Sequence, residues 1–150
     1  MKEAGMSLIV KRITKITVSL IFLYGVYIVL HGHITPGGGF AGGVIIALSF
    51  IHLVLAFGKE AALKRLNETA VSAIESLGGL LFWGIALLGL LGGVFFLNIL
   101  PKGRIFHLFS SGTIVLCNIA IFLKVGAGLF AIFIALAAMR MPAEKKEGKK

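Results

Sequence analysis

The sequence contains no aspartate, few acidic residues of any kind and one cysteine, Cys117, and only 14% of its residues are charged. Soluble domains usually carry about 25% charged residues, so this composition argues against a soluble protein. A single cysteine cannot form an internal disulfide, and we expect Cys117 to be a small packing residue. The scarcity of charge, together with 58% hydrophobic residues, predicts an integral membrane protein surrounded by a lipid bilayer.

The net charge of +9 does not indicate a nucleic-acid-binding protein. The basic residues lie near the chain ends and in short loops, which is where membrane proteins keep them. No basic run is interleaved with aromatic residues outside the apolar stretches. We therefore expect no nucleic acid among the partners of this chain.

Four apolar stretches are near or above the length of about 20 residues that a helix needs to cross a bilayer. The sequence thus predicts an all-α, multi-pass membrane protein that forms a single domain over residues 1–150. The predicted spans are residues 13–30, 40–57, 71–97 and 113–139, with a charged tail at 142–150.

The distribution of Lys and Arg predicts the orientation. Basic residues precede the first span, occupy the second loop and fill the tail, whereas the turn between the first two spans has none. Because positively charged loops stay inside, both termini are expected on the cytoplasmic side of the cell membrane. Lys102 and Arg104 in the third loop weaken this asymmetry without reversing it.

A glycine-rich turn separates the first two spans. Three consecutive glycines after a proline disfavour a helix, since each glycine costs about 1 kcal/mol relative to alanine. The next span then carries Gly39, Gly43 and Ala47 at intervals of four residues, a spacing that lets another helix approach closely. We predict a helix-packing role for Pro36, Gly37, Gly38, Gly39, Gly42 and Gly43.

Lys124 is the strongest chemical signal, because it lies in the middle of the fourth span on a face of small residues. A lysine at this depth costs about 2.5–3.5 kcal/mol on insertion scales, so it normally faces protein or water and has a partner. Lys124 is either part of a proton or cation path or an anchor that pairs with a neighbouring subunit. Since Glu75 is the only acid near a span, and is expected about 10 Å closer to the cytoplasm, we expect the partner of Lys124 on another chain.

Two further polar residues lie within spans. Glu75, near the start of the third span, is either a headgroup-level residue that favours the helix N-terminus or an ion-binding group. His52, in the second span, is either a neutral hydrogen-bonding group between helices or a proton relay. With Lys124, they are predicted to form either an ion path or polar contacts between subunits.

Nothing in the sequence predicts catalysis of bond chemistry. The sequence has no paired nucleophile and base, no phosphate-binding loop and no metal-ligand cluster, so we expect neither an enzyme nor a cofactor. His31 and His33 have no Cys, Asp or Glu nearby, which makes a metal site unfavourable there.

Two blocks of residues carry a family resemblance. The first is Gly32-His33-x-x-Pro36-Gly37-Gly38-Gly39-Phe40-x-Gly42-Gly43. The second comprises Leu100-Pro101, Ser110-Ser111-Gly112-Thr113-Ile114, Asn118-Ile119-Ala120 and Leu123-Lys124-Val125-Gly126-Ala127-Gly128-Leu129. Both resemble the MnhB/MrpB family, small subunits of multisubunit Na⁺/H⁺ antiporters, and the similarity covers roughly residues 14–139.

The resemblance implies a non-catalytic subunit that packs against sister membrane subunits of a complex moving Na⁺ or H⁺. Such subunits occur in free antiporters and in archaeal respiratory complexes with a hydrogenase or sulfur-reducing module. Antiporter-type members often have an aspartate near the position of Asn118, so the antiporter ion site does not transfer directly to this chain. Together with Lys124, this difference favours a respiratory complex. Asn118 is predicted to be either an ion-path residue or a polar contact between subunits. The alternative is a small homo-oligomeric transporter or channel that acts alone.

Overall fold

The computed structural model describes residues 6–58, 67–103 and 110–147, and within these ranges the chain is all-α. The described residues form four helices: α1 (Leu8–His31), α2 (Gly38–Phe57), α3 (Glu68–Leu90) and α4 (Thr113–Glu147). Each contains a stretch long and apolar enough to cross a membrane, in α4 the part from Thr113 to Met139. The predicted all-α fold with four transmembrane helices is confirmed.

Local capping explains where two of the helices begin. The Ser7 side chain accepts a hydrogen bond from the Val10 N–H at 3.5 Å, so α1 starts five residues before the predicted span. Asn67 accepts from the Ala70 N–H at 2.6 Å and sets the start of α3. Side-chain oxygens at this position satisfy backbone donors that the helix itself leaves free.

The third span ends earlier than predicted, because apolar residues continue after the helix stops. α3 ends at Leu90, whereas the prediction extended to residue 97. The chain turns back on itself, and the Phe96 N–H donates to the Ala86 carbonyl at 3.4 Å. Gly89 permits this fold-back, since a methyl group there would lie 2.6 Å from the Leu97 nitrogen.

The fourth helix continues beyond the predicted span into the charged tail. It remains helical to Glu147, through a segment that carries alanine, glutamate and lysine. These three residue types have high intrinsic helix propensity, which favours the helix although the segment also contains Pro142, a residue that cannot donate a backbone hydrogen bond.

The helices pack in the order α1, α2, α4, α3, so α2 and α4 form the centre. A small apolar core joins α2, α3 and α4 through Val54, Val71, Phe130 and Ile134. Much of the remaining apolar surface points outward, as Leu20, Leu80 and Trp83 illustrate with about 60% of each exposed. A surface of this kind suits lipid or other membrane subunits.

Glycines on two sides of α2 bring its neighbours close. On one side Gly42 faces α1, where a methyl group would lie 2.9 Å from the Gly25 carbonyl oxygen. On the other side Gly43 faces α4, where a methyl group would lie 3.0 Å from Cβ of Val125. Helices of the same chain therefore occupy both sides of α2 at these glycines.

Candidate functional site

The centre of the candidate site is an ion pair between α3 and α4. The Lys124 Nζ lies 3.6 Å from Oε1 of Glu75, and 56% and 39% of the two side chains are exposed. The expectation that the partner of Lys124 belongs to another chain was wrong for this contact. The expected offset of about 10 Å between Glu75 and Lys124 was also wrong. The Lys124 backbone lies beside Gly78, which is one helical turn from Glu75.

Three glycines make space for this pair. A methyl group at Gly78 would lie 2.7 Å from the Lys124 nitrogen, so α3 and α4 touch through their backbones there. A methyl group at Gly79 would lie 3.7 Å from Lys124 Nζ, and one at Gly128 would lie 3.6 Å from Glu75 Oε1. Small residues thus allow both charged side chains to lie between the helices.

Gly78 and Gly79 were not among the predicted packing residues, although the sequence contained a signal for them. Two adjacent glycines in the middle of an apolar span indicate a close helix contact, just as the spacing in α2 does. Gly78 is buried, whereas Gly84 on the same helix has open space around it. Only the packing distinguishes these two kinds of glycine.

His52 lies in a different interface. Its Nε2 is 3.5 Å from Oγ1 of Thr14, so it joins α2 to α1. Ser49, one turn earlier on α2, donates to the Ile46 carbonyl at 2.7 Å within its own helix. This arrangement matches a polar contact between helices, and it does not bring His52 to the Glu75–Lys124 pair.

Asn118 lies at the amino end of α2. Gly37 precedes this helix and has no side chain to cap it, and the Gly39 N–H donates to Oδ1 of Asn118 at 3.4 Å. The Asn118 amide nitrogen is buried and has no hydrogen-bond partner within the described residues. The structure therefore places Asn118 as a cap supplied by α4 and separates it from Lys124.

The glycine turn is shorter than its sequence suggests. The turn spans residues 32–37, and α2 already begins at Gly38. Gly37 and Gly38 have φ angles of 143° and 75°, a backbone region that residues with a Cβ rarely adopt. Gly39 instead lies against the Asn118 backbone, while Pro36 is exposed.

The remaining histidines and loops do not form a metal site among the described residues, where no group of three His, Cys, Asp or Glu side chains comes together. His31 stacks on Tyr27 with ring centroids 4.2 Å apart. The loop residues Lys59, Lys64, Arg65 and Arg104, which helped to predict the orientation, lie outside the described residues.

Asn98 is a structural polar residue that the sequence-based argument missed. Its Oδ1 accepts from the Thr113 N–H at 3.0 Å, and its amide donates to the Ser111 carbonyl at 3.0 Å. Asn98 thus caps the start of α4 from the preceding segment. An asparagine between apolar residues is compatible with such a cap, but its target is not visible from the sequence.

Comparison with known proteins identifies the family. Residues 9–131 match the model of a domain related to the MnhB subunit of Na⁺/H⁺ antiporters. The chain belongs to the MnhB family. The match includes the whole glycine turn and the Glu75–Lys124 pair.

Two curated relatives support this membership. An uncharacterised protein of Methanocaldococcus jannaschii is 36% identical over an alignment covering 84% of this chain and 50% of that protein. A protein assigned as antiporter subunit mnhB2 in Staphylococcus epidermidis is 43% identical over 39% of this chain and 41% of that protein. The chain therefore spans about half the length of these relatives or less.

A solved structure has the same fold. One chain of the membrane-bound sulfane sulfur reductase, an archaeal respiratory membrane complex, superposes with a TM-score of 0.77 at 31% identity. The superposition covers 91% of this chain and 60% of the other. A chain with this fold thus occurs in a respiratory membrane complex.

Proposed function

We propose that this chain is a non-catalytic membrane subunit of a multisubunit complex that translocates Na⁺ or protons. Its membership of the MnhB family supports a place beside sister antiporter-like subunits. The observation that carries the proposal is the half-exposed Glu75–Lys124 pair within a transmembrane helix bundle. Such charges are costly in lipid and usually line an ion path or contact another subunit.

The parent complex is proposed to be a respiratory complex of the hydrogenase or sulfur-reductase type, with an Mrp-type antiporter as the alternative setting. The likeness to a chain of the sulfane sulfur reductase complex supports the respiratory setting. Asn118 supports it too, since antiporter-type members are expected to carry a carboxylate at this position. Redox chemistry would then belong to other subunits.

Within the subunit, Glu75 and Lys124 are proposed as the ion-path residues. His52 and Asn118 are proposed as structural residues, because their contacts with Thr14 and Gly39 tie neighbouring helices together. The six residues of the glycine turn are proposed to set the close packing of α2 between α1 and α4.

Purification of the tagged chain from native membranes in mild detergent tests the proposal. Other antiporter-like subunits should co-purify in a fixed ratio, and vesicles containing the complex should couple Na⁺ or proton movement to its activity. Recovery of this chain alone, as a homo-oligomer that transports ions, would support the stand-alone transporter instead.

The orientation is proposed to place both termini and the second loop on the cytoplasmic side of the cell membrane. Impermeant thiol reagents applied from outside should label Pro36→Cys and Lys102→Cys, which replace exposed residues. They should not label Lys64→Cys or Lys146→Cys. Outside labelling of Lys64→Cys would contradict this topology.

A further inference from the structure

A groove of about 370 Å³ lies between α3 and α4, next to the ion pair. Its α3 wall presents Glu68, Ser72 and Glu75, which recur at helical spacing on one face. Its α4 wall includes the small residues Ala131 and Ala135, which leave the space open. The volume could hold on the order of ten water molecules at about 30 Å³ each.

The groove has an open end and a closed end. It begins beside Glu68 at the start of α3 and reaches Glu75, about 10 Å deeper at the rise of an α-helix. Beyond Glu75 the helices close, because a methyl group at Gly78 would lie 2.8 Å from the Ala120 carbonyl oxygen. Ala120 is 1% exposed, so the groove does not pass Gly78 along this contact. A second cavity of about 250 Å³ adjoins the groove at Val71 and Phe130, and apolar residues and a glycine line it.

Six of the nine residues that line the groove are apolar, and the three polar ones form a row along its α3 wall. A carboxylate, a hydroxyl and a second carboxylate follow one another towards Lys124, and each can hydrogen-bond to water. An acyl chain in the same space would leave the Glu75 carboxylate without hydrogen-bonding partners on the groove side, whereas water would solvate it.

We propose that this groove is a water-filled path that gives protons access to the Glu75–Lys124 pair from one side of the membrane only. This inference rests on the proposed ion-translocating function, and it specifies the route by which protons reach the Glu75–Lys124 pair. Glu68 marks the mouth, Ser72 is the intermediate hydrogen-bonding group, and the backbone contact at Gly78 closes the far end. The mouth lies on the side of the membrane where α3 begins.

Cysteine labelling of the assembled complex in membrane vesicles tests the path. In a Cys117→Ala background, Ser72→Cys places a thiol on the groove wall, whereas Ala73→Cys places one at nearly the same depth outside it. The probe is an impermeant, positively charged methanethiosulfonate. It should modify Ser72→Cys at least about tenfold faster than Ala73→Cys, because the reactive thiolate forms in water and is disfavoured in apolar surroundings.

The side of access is measured in the same vesicles. The reagent should reach Ser72→Cys only from the side opposite to the one that labels Lys102→Cys, because Lys102 follows α3 at its far end. Equal rates at Ser72→Cys and Ala73→Cys, no modification of Ser72→Cys, or modification from both sides would each overturn the proposal.

A filled groove provides a second test. Ala135→Phe should slow both the labelling of Ser72→Cys and ion transport several-fold, whereas Ile132→Phe should change neither, because Ile132 is 58% exposed and does not line the groove. Unchanged labelling in Ala135→Phe contradicts the path. If Ala135→Phe fails to assemble, the labelling rates of Ser72→Cys and Ala73→Cys alone determine whether the groove contains water. If the unmutated chain purifies without other subunits, the proposed function is contradicted, whereas the proposal of a water-filled groove is not.

Discussion

The contact between α1 and α2 and the contact between α3 and α4 both depend on glycine, but they differ in what fills the space. At the first contact, a methyl group at Gly25 would lie 2.6 Å from the Ile46 side chain, so apolar atoms fill the space beside this glycine. At the second, Gly79 and Gly128 border a charged pair and an open groove. Glycine spacing therefore indicates that two helices approach closely, but it does not specify whether the interface between them is filled or contains a cavity.

The largest expected effect is loss of the tight packing around α2. Gly39→Leu should destabilise the fold by about 3 kcal/mol or more, the upper end for overpacked cores, because its side chain would overlap the Asn118 backbone. Gly84→Leu is the matched control, since nothing lies within 4 Å of a Cβ at that position. Yield of the folded subunit in membranes measures both. Normal yield of Gly39→Leu would contradict the packing role.

The next effect concerns the charged pair. Glu75→Gln and Lys124→Met each leave one unpaired charge, whereas the double variant leaves none, so its thermal stability in detergent should exceed that of either single variant. If the pair belongs to the ion path, all three variants should assemble and lose most transport. If Lys124 is an anchor, Lys124→Met should instead weaken assembly. Full assembly with full transport in Lys124→Met would contradict both roles.

A smaller effect is expected at the cap that α4 supplies to α2. Asn118→Leu removes the acceptor for the Gly39 N–H and should cost about 1 kcal/mol, the usual value for a lost helix cap. Asn118→Asp keeps an acceptor at the positive end of α2 and should retain stability and assembly. Thermal unfolding of the purified complex measures the difference. Equal stability of the leucine and aspartate variants would contradict the proposal that Asn118 caps α2.

The smallest effect is expected at the polar contact between α1 and α2. His52→Leu removes a 3.5 Å contact with Thr14 and should change stability by about 1 kcal/mol or less. Ion transport should be unchanged, in contrast to Lys124→Met. A large loss of transport in an assembled His52→Leu complex would contradict the structural role and indicate that His52 belongs to the ion path.

Composition and apolar length predicted most of the fold. In lipid, a long apolar stretch satisfies its backbone hydrogen bonds by forming a helix. The part of the chain that the structure describes contains four helices long and apolar enough to span a membrane. The ends were less predictable, because α3 stops at Leu90 while apolar residues continue to Leu97. The hydropathy of a segment indicates whether it prefers lipid to water. The position of a helix end depends instead on local contacts, such as the fold-back at Gly89.

The candidate site was only partly predictable. Lys124 and Glu75 were recognisable one by one, because charges are rare within spans, but their pairing was not. The predicted path also included His52 and Asn118, which the structure places in other interfaces. Pairing depends on the rotation and relative height of two helices, and neither quantity is encoded in the spacing along a single helix.

The sequence by itself determined that this chain is an α-helical membrane protein of the MnhB type, because apolar length and the glycine turn are local properties. Tertiary structure decided which helices each glycine brings together, which residue caps α2 and which acid meets Lys124. It also left a groove beside the pair, because Gly78 closes α3 against α4 at one level while Ala131 and Ala135 leave space at another. These outcomes depend on contacts between residues far apart in the chain.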